Sequence, residues 1–127
     1  MDIMIRSADP NTFVALRNIR VGRNGVEFIL SVSSRGFTGE VPYALEKAEL
    51  HKLLDALRAM HAHLTGSASL QFHSEETRVG LTMNSQGQVM VTGALVHYRD
   101  PVHRLEFGFF SDQSCLPEFI AGLEGLL

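Results

Sequence analysis

The chain has 127 residues, of which 45% are hydrophobic and 20% charged, and it carries a net charge of −3. This size predicts one domain spanning residues 1–127. The eleven basic residues are scattered along the sequence, which argues against a nucleic-acid-binding protein. No apolar run approaches the ~20 residues that cross a bilayer, and no signal peptide is evident. The lone cysteine excludes an internal disulfide and fits a reducing compartment, so we expect a cytoplasmic protein.

The first third of the chain predicts short strands. They cover Ile3–Ile5, residues 12–22, Val26–Ser33 and Phe37–Tyr43. Asn24-Gly25 predicts a tight hairpin turn, because both central positions of such a turn need positive φ. Arg35-Gly36 is a break between strands. Pro42 has no N–H to donate to a ladder, so the strand that contains it lies at a sheet edge or ends there.

The segment from Leu45 to Gly66 has clear helical spacing. Its apolar stripe consists of Leu50, Leu53, Leu54, Leu57, Met60 and Leu64. Gly66 is expected to take the left-handed conformation that ends a helix. No Ser, Thr, Asp or Asn stands near Leu45 to cap the helix at its start. This stripe predicts the surface that packs on a sheet.

The rest of the chain predicts a four-stranded meander and a second helix. The strands are Ala68–His73, Arg78–Met83, Gln88–Tyr98 and His103–Phe110, and the helix runs from Ser114 to Leu127. Gln88–Tyr98 is apolar on both faces, which indicates a central, covered strand. Asp112 or Ser114 is expected to cap the last helix.

Strands joined by tight turns pair antiparallel. We therefore predict an α+β fold with one antiparallel sheet of six to seven strands, in the order ββ-β-α-ββββ-α, and both helices on one face. The second face stays polar, curls into a partial barrel, or meets another subunit. Met90, Val96, Tyr98 and Phe110 are the residues that we place on this second face. One hypothesis is that they form a homodimer surface, and the alternative is that sheet curvature buries them.

Cys115 is the sharpest enzymatic candidate. It stands at the predicted start of the last helix, where the helix dipole favours a thiolate. A nucleophile also needs a base, and no sequence neighbour supplies one. A small, half-buried cysteine near a helix cap is the commoner situation, so we predict no catalytic residue.

The histidines and carboxylates do not form a recognisable metal site. His61 and His63 point about 200° apart on a helix and cannot share an ion, and His61 falls on the leucine stripe. The remaining candidates are His73, His97, Asp100, His103 and Glu106, which lack a diagnostic spacing. Glu75-Glu76 is typical of a solvated turn. The glycines match no dinucleotide or phosphate-binding motif, so we predict neither a metal nor a cofactor.

Five short residue patterns occur along the chain in a recognisable order. They are Phe37-x-Gly39, Leu50-x-x-Leu53-Leu54-x-x-Leu57, Leu64-x-Gly66-Ser67-Ala68-Ser69-Leu70, Gly87-x-Val89-x-Val91, and Leu105-x-Phe107-x-Phe109-x-x-Asp112-Gln113-Ser114-x-Leu116. Over about residues 26–127 this order resembles a family of small bacterial proteins that includes WapI-type immunity proteins. The resemblance implies a non-enzymatic binding role, with a cognate toxin as the partner. It brings no catalytic motif.

We therefore expect a non-enzymatic protein-binding domain, with an immunity role toward a toxin. The proposed contact residues are Met90, Val96, Tyr98, Arg99 and Phe110, because aromatic, Met and Arg side chains anchor such surfaces. The alternative is a small-ligand-binding domain or enzyme, with a pocket between the sheet and the long helix near His61 and Cys115. A concave site with converging polar groups would favour the alternative.

Overall fold

The computed structural model describes residues 2–71 and 76–127. The first half contains β1 (Ile3–Arg6), β2 (Phe13–Val21), β3 (Gly25–Ser34), β4 (Phe37–Glu46) and α1 (Lys47–His63). The second half contains β5 (Ser67–Gln71), β6 (Arg78–Met83), β7 (Gln88–His97), β8 (His103–Asp112) and α2 (Cys115–Glu124). Three residues used in the sequence predictions lie outside the described residues. They are Phe72, at the end of a predicted strand, His73, a metal candidate, and Glu75, in a predicted turn.

The strands form two antiparallel sheets of four strands, in the orders β1-β2-β3-β4 and β5-β6-β7-β8. The α+β class is confirmed, and the prediction of one sheet with six to seven strands is wrong. Each group of four strands pairs only within itself, because tight connections favour local pairing. Between the groups, the 17 residues of α1 carry the chain about 25 Å along the helix axis. Pro42 stands on the edge strand β4, as predicted.

The buried side chains of both sheets and both helices form one cluster. The two inner faces meet at Gly39, where an added Cβ would lie 3.0 Å from Leu105 Cδ2 and 3.4 Å from Leu95 Cδ1. Helix α2 approaches β1 closely, since an added Cβ at Gly122 would lie 2.8 Å from Ile3 Cγ2. The chain thus covers its apolar faces by splitting the predicted sheet in two, and each sheet keeps one outer face.

The stripe of α1 is buried over most of its length. Its buried members are Leu50, Leu53, Leu54, Leu57 and Met60. Burying each of these side chains is worth roughly 1.5–3 kcal/mol. Leu64 is 50% exposed, so its assignment to the stripe is wrong.

Both ends of α1 differ from the sequence prediction. Leu64 itself takes the left-handed conformation, with φ of 54°, and ends the helix two residues before Gly66. Gly66 follows with φ of 100°. At the start, the Glu49 carboxylate accepts a hydrogen bond of 3.0 Å from the Glu46 N–H. The sequence prediction missed this acidic cap because it considered only Ser, Thr, Asp and Asn as capping residues.

Helix α2 is shorter than the predicted Ser114–Leu127. Phe119, Ile120 and Leu123 of its apolar stripe are buried, whereas Leu126 is half-buried and Leu127 is 49% exposed. The Asp112 carboxylate accepts a hydrogen bond of 3.1 Å from the Ser114 N–H at the start of α2. Neither helix has the length and apolarity required for a membrane crossing within the described part of the chain.

Two turns differ in geometry from their sequence predictions. Arg35 and Gly36 have φ of 52° and 85° and join Ser34 directly to Phe37 in the ladder, which is the behaviour expected of a two-residue hairpin turn. The hairpin predicted at Asn24-Gly25 does form, because β2 pairs with β3 up to Val21 and Val26 and the Gly22 N–H donates to the Gly25 carbonyl oxygen at 2.8 Å. Asn24 and Gly25 have no positive φ, so the two-residue turn predicted for them is wrong. Gly25 begins β3, and an added Cβ would lie 2.2 Å from the Leu45 carbonyl oxygen. Gly25 is therefore needed for the close approach of β3 to β4.

Replacing Gly25 with alanine should destabilise the fold by about 1–3 kcal/mol, because the new methyl group forces β3 away from β4. Gly22→Ala is the matched control, since its Cβ would meet its nearest atom, the Gly25 carbonyl oxygen, at 3.6 Å. Urea unfolding of both variants measures the difference. Equal stability of the two variants would contradict the assigned role of Gly25.

Candidate protein-binding surface

The outer face of the second sheet is exposed around Met90 and Phe110 and is covered near Ala94 and Val96. In the strand registers its residues are Ser67, Ser69, Gln71, Arg78, Gly80, Thr82, Met90, Thr92, Ala94, Val96, Arg104, Glu106, Gly108 and Phe110. Met90 and Phe110 pair directly across β7 and β8. They are 39% and 54% exposed. Small residues surround this apolar pair, so it stands out from the sheet.

Val96 is 5% exposed, so its predicted exposure on this surface is wrong. Strand alternation does place Val96 on the outer face, opposite Arg104. The Arg104 guanidinium, however, binds the Glu76 carboxylate. The Val96 N–H donates a hydrogen bond of 3.1 Å to Thr77 Oγ1, which places the Glu76 segment on the other side of β7. The ion pair therefore crosses β7 and covers Val96.

Tyr98 and Arg99 follow the far end of β7 and are exposed. The Tyr98 hydroxyl accepts a hydrogen bond of 3.0 Å from the Glu76 N–H, which restricts the ring. Tyr98 lies eight residues after Met90, a separation of about 26 Å along an extended strand. The predicted contact residues thus divide into two exposed spots, Met90 with Phe110 and Tyr98 with Arg99.

A charged network lies between the two spots. Arg104 binds the carboxylates of Glu76 and Glu106, the latter at 2.9 Å from its Nε. The hydrogen bonds that Arg104 donates, chiefly to Glu76 and then to Glu106, raise the pKa of Arg104. The positive charge of Arg104 offsets much of the negative charge of the two glutamates. The surface between the two spots therefore carries charges of both signs.

The outer face of the first sheet covers its own apolar residues. The Arg17 guanidinium lies over the Phe13 ring, 5.5 Å from the centroid. Ala15, between them on the same strand face, is fully buried. Phe13 is thereby half-buried, whereas Phe110 is exposed. On the outer faces, therefore, Phe110 of the second sheet is unshielded, whereas Phe13 of the first sheet is shielded.

A cleft that the sequence analysis missed lies beside an irregularity in β2. The β2–β3 register shifts between Arg17 and Arg20, and Asn18 has φ of 51°. The cleft has a volume of about 860 Å³, and its lining includes Ile19, Ile29, Pro42 and Ala44. The imperfect alternation of residues 12–22 was the signal that could have revealed it.

A groove between the long helix and a sheet does exist. It has a volume of about 610 Å³ and is lined by the exposed face of β5 and by Glu49, Lys52, Leu53 and Ala56 of α1. Neither His61 nor Cys115 lines it. His61 is exposed, so its predicted place on the leucine stripe is wrong.

The ion pair between Arg58 and Glu124, at 2.9 Å, sets the end of α1 beside the end of α2. Cys115 begins α2, nine residues and about 14 Å along the helix from Glu124. The structure therefore does not bring His61 and Cys115 into one pocket.

Cys115 is buried, with 7% of its surface exposed. Burial raises the pKa of the Cys115 thiol, and a hydrogen bond with Ser111 opposes this only in part. The expected stabilisation of a thiolate by the helix start is therefore outweighed by desolvation. The thiol borders a depression of about 500 Å³ that also contacts Arg6, Phe110 and Glu118.

Iodoacetamide should modify Cys115 more slowly than free cysteine at neutral pH, because a raised pKa lowers the thiolate fraction and burial restricts access. The rate should rise as the pH approaches the thiol pKa from below. Mass spectrometry of the folded chain measures it, and the chain unfolded in denaturant provides the control. Faster reaction in the folded chain than in the unfolded one would contradict the burial of the thiol.

His97 and His103 pair directly across the β7–β8 hairpin. Among residues 2–71 and 76–127, no group of three or more His, Cys, Asp and Glu side chains is arranged to hold a metal ion. The metal candidate His73 is outside these ranges.

The comparisons with known proteins give one match. The model of the immunity protein WapI-like family matches residues 7–127. The corresponding searches of curated proteins and of solved structures return no match.

Proposed function

The chain belongs to the immunity protein WapI-like family, and from this premise we propose that it is a non-enzymatic protein that binds a cognate bacterial toxin. The proposed contact is the outer face of the second sheet, centred on Met90 and Phe110. This assignment rests on one observation: the two apolar residues stand directly opposite each other on neighbouring strands, and both are exposed. Aromatic and methionine side chains are the usual anchors of protein interfaces.

The partner's surface follows from the chemistry around this pair. Arg104, Glu76 and Glu106 form a border that holds both signs of charge. The net charge of −3 is too small to select a strongly basic partner. We therefore propose a partner that inserts an apolar side chain beside Phe110 and places polar groups toward Arg104 and Tyr98.

Two further parts of the proposal rest on the sequence. The lone cysteine supports a cytoplasmic location, where an immunity protein meets a delivered toxin. Self-association into a homodimer also remains a proposal. With Val96 covered, the face available for it is narrower than the sequence analysis expected.

The small-ligand alternative has one favourable observation, the groove of about 610 Å³ between α1 and β5. Its polar groups include Glu49 and Lys52 on the helix. His61 and Cys115, the residues expected to serve such a pocket, do not line it. The family and the exposed apolar pair favour the protein-binding function.

Phe110→Ala should weaken toxin binding by roughly fivefold to thirtyfold, the effect of removing an interface anchor worth about 1–2 kcal/mol. The measurement is calorimetry with the toxin domain of a secreted protein encoded by a neighbouring gene, together with protection of cells that express that domain. Phe37→Ala is the matched control, because Phe37 is an exposed phenylalanine on β4, 68% accessible. An unchanged affinity for Phe110→Ala, or an equal loss in the control, would contradict this contact surface.

A further inference from the structure

Strand β8 is an unprotected edge of the second sheet. Its ten residues pair with β7 from one end to the other without a register shift. It contains neither proline nor lysine. In the described part of the chain, no other strand pairs with its second side. Proteins usually shorten, twist or block such edges, because an open edge is a template for another strand.

The other three sheet edges are protected. Strand β1 has four residues and β5 has five. Strand β4 carries Pro42 in its paired region. Strand β8 is therefore the edge on which a second strand can form a long ladder.

The edge is also open at its centre. Gly108 is exposed, as are Glu106 and Phe110 on either side of it on the outer face. Apart from its ladder with β7, β8 makes no backbone–backbone hydrogen bond within residues 2–71 and 76–127. An added Cβ at Gly108 would meet its nearest neighbour, Thr92 Cγ2, at 3.5 Å, so a side chain fits there.

We propose that two copies of this chain pair through β8 in antiparallel orientation, about a twofold axis at Gly108. The two second sheets then join into one continuous sheet. In this register Gly108 faces Gly108 of the partner subunit, and Arg104 faces Asp112 of the partner subunit at each end. The Arg104 guanidinium keeps its own partners, Glu76 and Glu106, and the register sets no two like charges directly opposite each other, which would be destabilising. A closed twofold contact of this kind is the commonest form of homo-oligomer.

Like charges disfavour two of the neighbouring registers. An axis at Glu106 sets that carboxylate against its own copy, and an axis at Phe109 sets Glu106 against Asp112. Both place like charges directly opposite, which is destabilising. An axis at Leu105 shortens the overlap to residues 103–107.

The inner side of the joined edge also favours association. In the proposed register Phe107 faces Phe109 of the partner subunit. Phe107 is half-buried in the single chain, and its ring lies 6.5 Å from that of Phe109. Pairing would remove more of Phe107 from water. The proposal does not depend on the toxin, and it would place two Met90–Phe110 pairs on one extended face.

Gly108→Lys tests the proposal, because it brings two like charges together at the axis. We expect the dimer dissociation constant to rise by about tenfold or more. Thr92→Lys is the matched control, since Thr92 is exposed on the same face, directly opposite Gly108, but on an inner strand. Sedimentation equilibrium measures the association, and circular dichroism checks the fold.

A cysteine at the axis gives a second readout. Mild oxidation of Gly108→Cys should produce a disulfide-linked dimer, whereas Thr92→Cys and the unmodified chain, with its buried Cys115, should not. A monomeric unmodified chain at high concentration would overturn the proposal. Loss of the dimer in Thr92→Lys but not in Gly108→Lys would also overturn it and would indicate contact between sheet faces.

Discussion

The burial of one side of α1 is the constraint on which the structure depends. Five side chains, Leu50, Leu53, Leu54, Leu57 and Met60, leave water on a helix that contacts β3, β4 and β5. These strands belong to different sheets. The helix therefore ties the two meanders to one core, although no ladder joins β4 to β5. Without this apolar stripe, the part of each inner face that α1 covers would be exposed to water.

The shared core also decides which surfaces remain for binding. Both sheets turn their large aliphatic residues inward, so partners meet the outer faces, the sheet edges, the grooves and the exposed sides of the helices. On the first sheet, Arg17 stacks on Phe13 and shields it. On the second sheet, Phe110 has no comparable cover and is 54% exposed. The difference between the two faces is thus local side-chain packing on similar backbones.

The sequence predicted the local elements because their causes are local. The residue pattern placed β3 at Val26–Ser33, within one residue of each observed end, and spacing identified most of the α1 stripe. Strand pairing was harder, since alternation shows which side chains point inward but not which strands are neighbours. The single predicted sheet was wrong for this reason.

Errors at individual residues have similar causes. Val96 was placed on the correct face, but its burial comes from an ion pair between Arg104 and Glu76, residues 28 positions apart. Leu64 continued the helical spacing yet took a left-handed conformation that ended the helix. The binding surface was predicted in part. Met90 and Phe110 are exposed and adjacent, whereas Tyr98 and Arg99 form a separate spot because β7 is long.

Methyl NMR of methionine-labelled protein tests whether the toxin contacts the outer face of the second sheet. Met90 lies on the proposed toxin contact, Met4 lies on the outer face of the first sheet, and Met60 and Met83 are buried. On addition of the toxin domain, the account predicts that the Met90 methyl signal shifts or broadens while that of Met4 stays unchanged. A shift at Met4 with an unperturbed Met90 would place the interface on the first sheet and contradict the account.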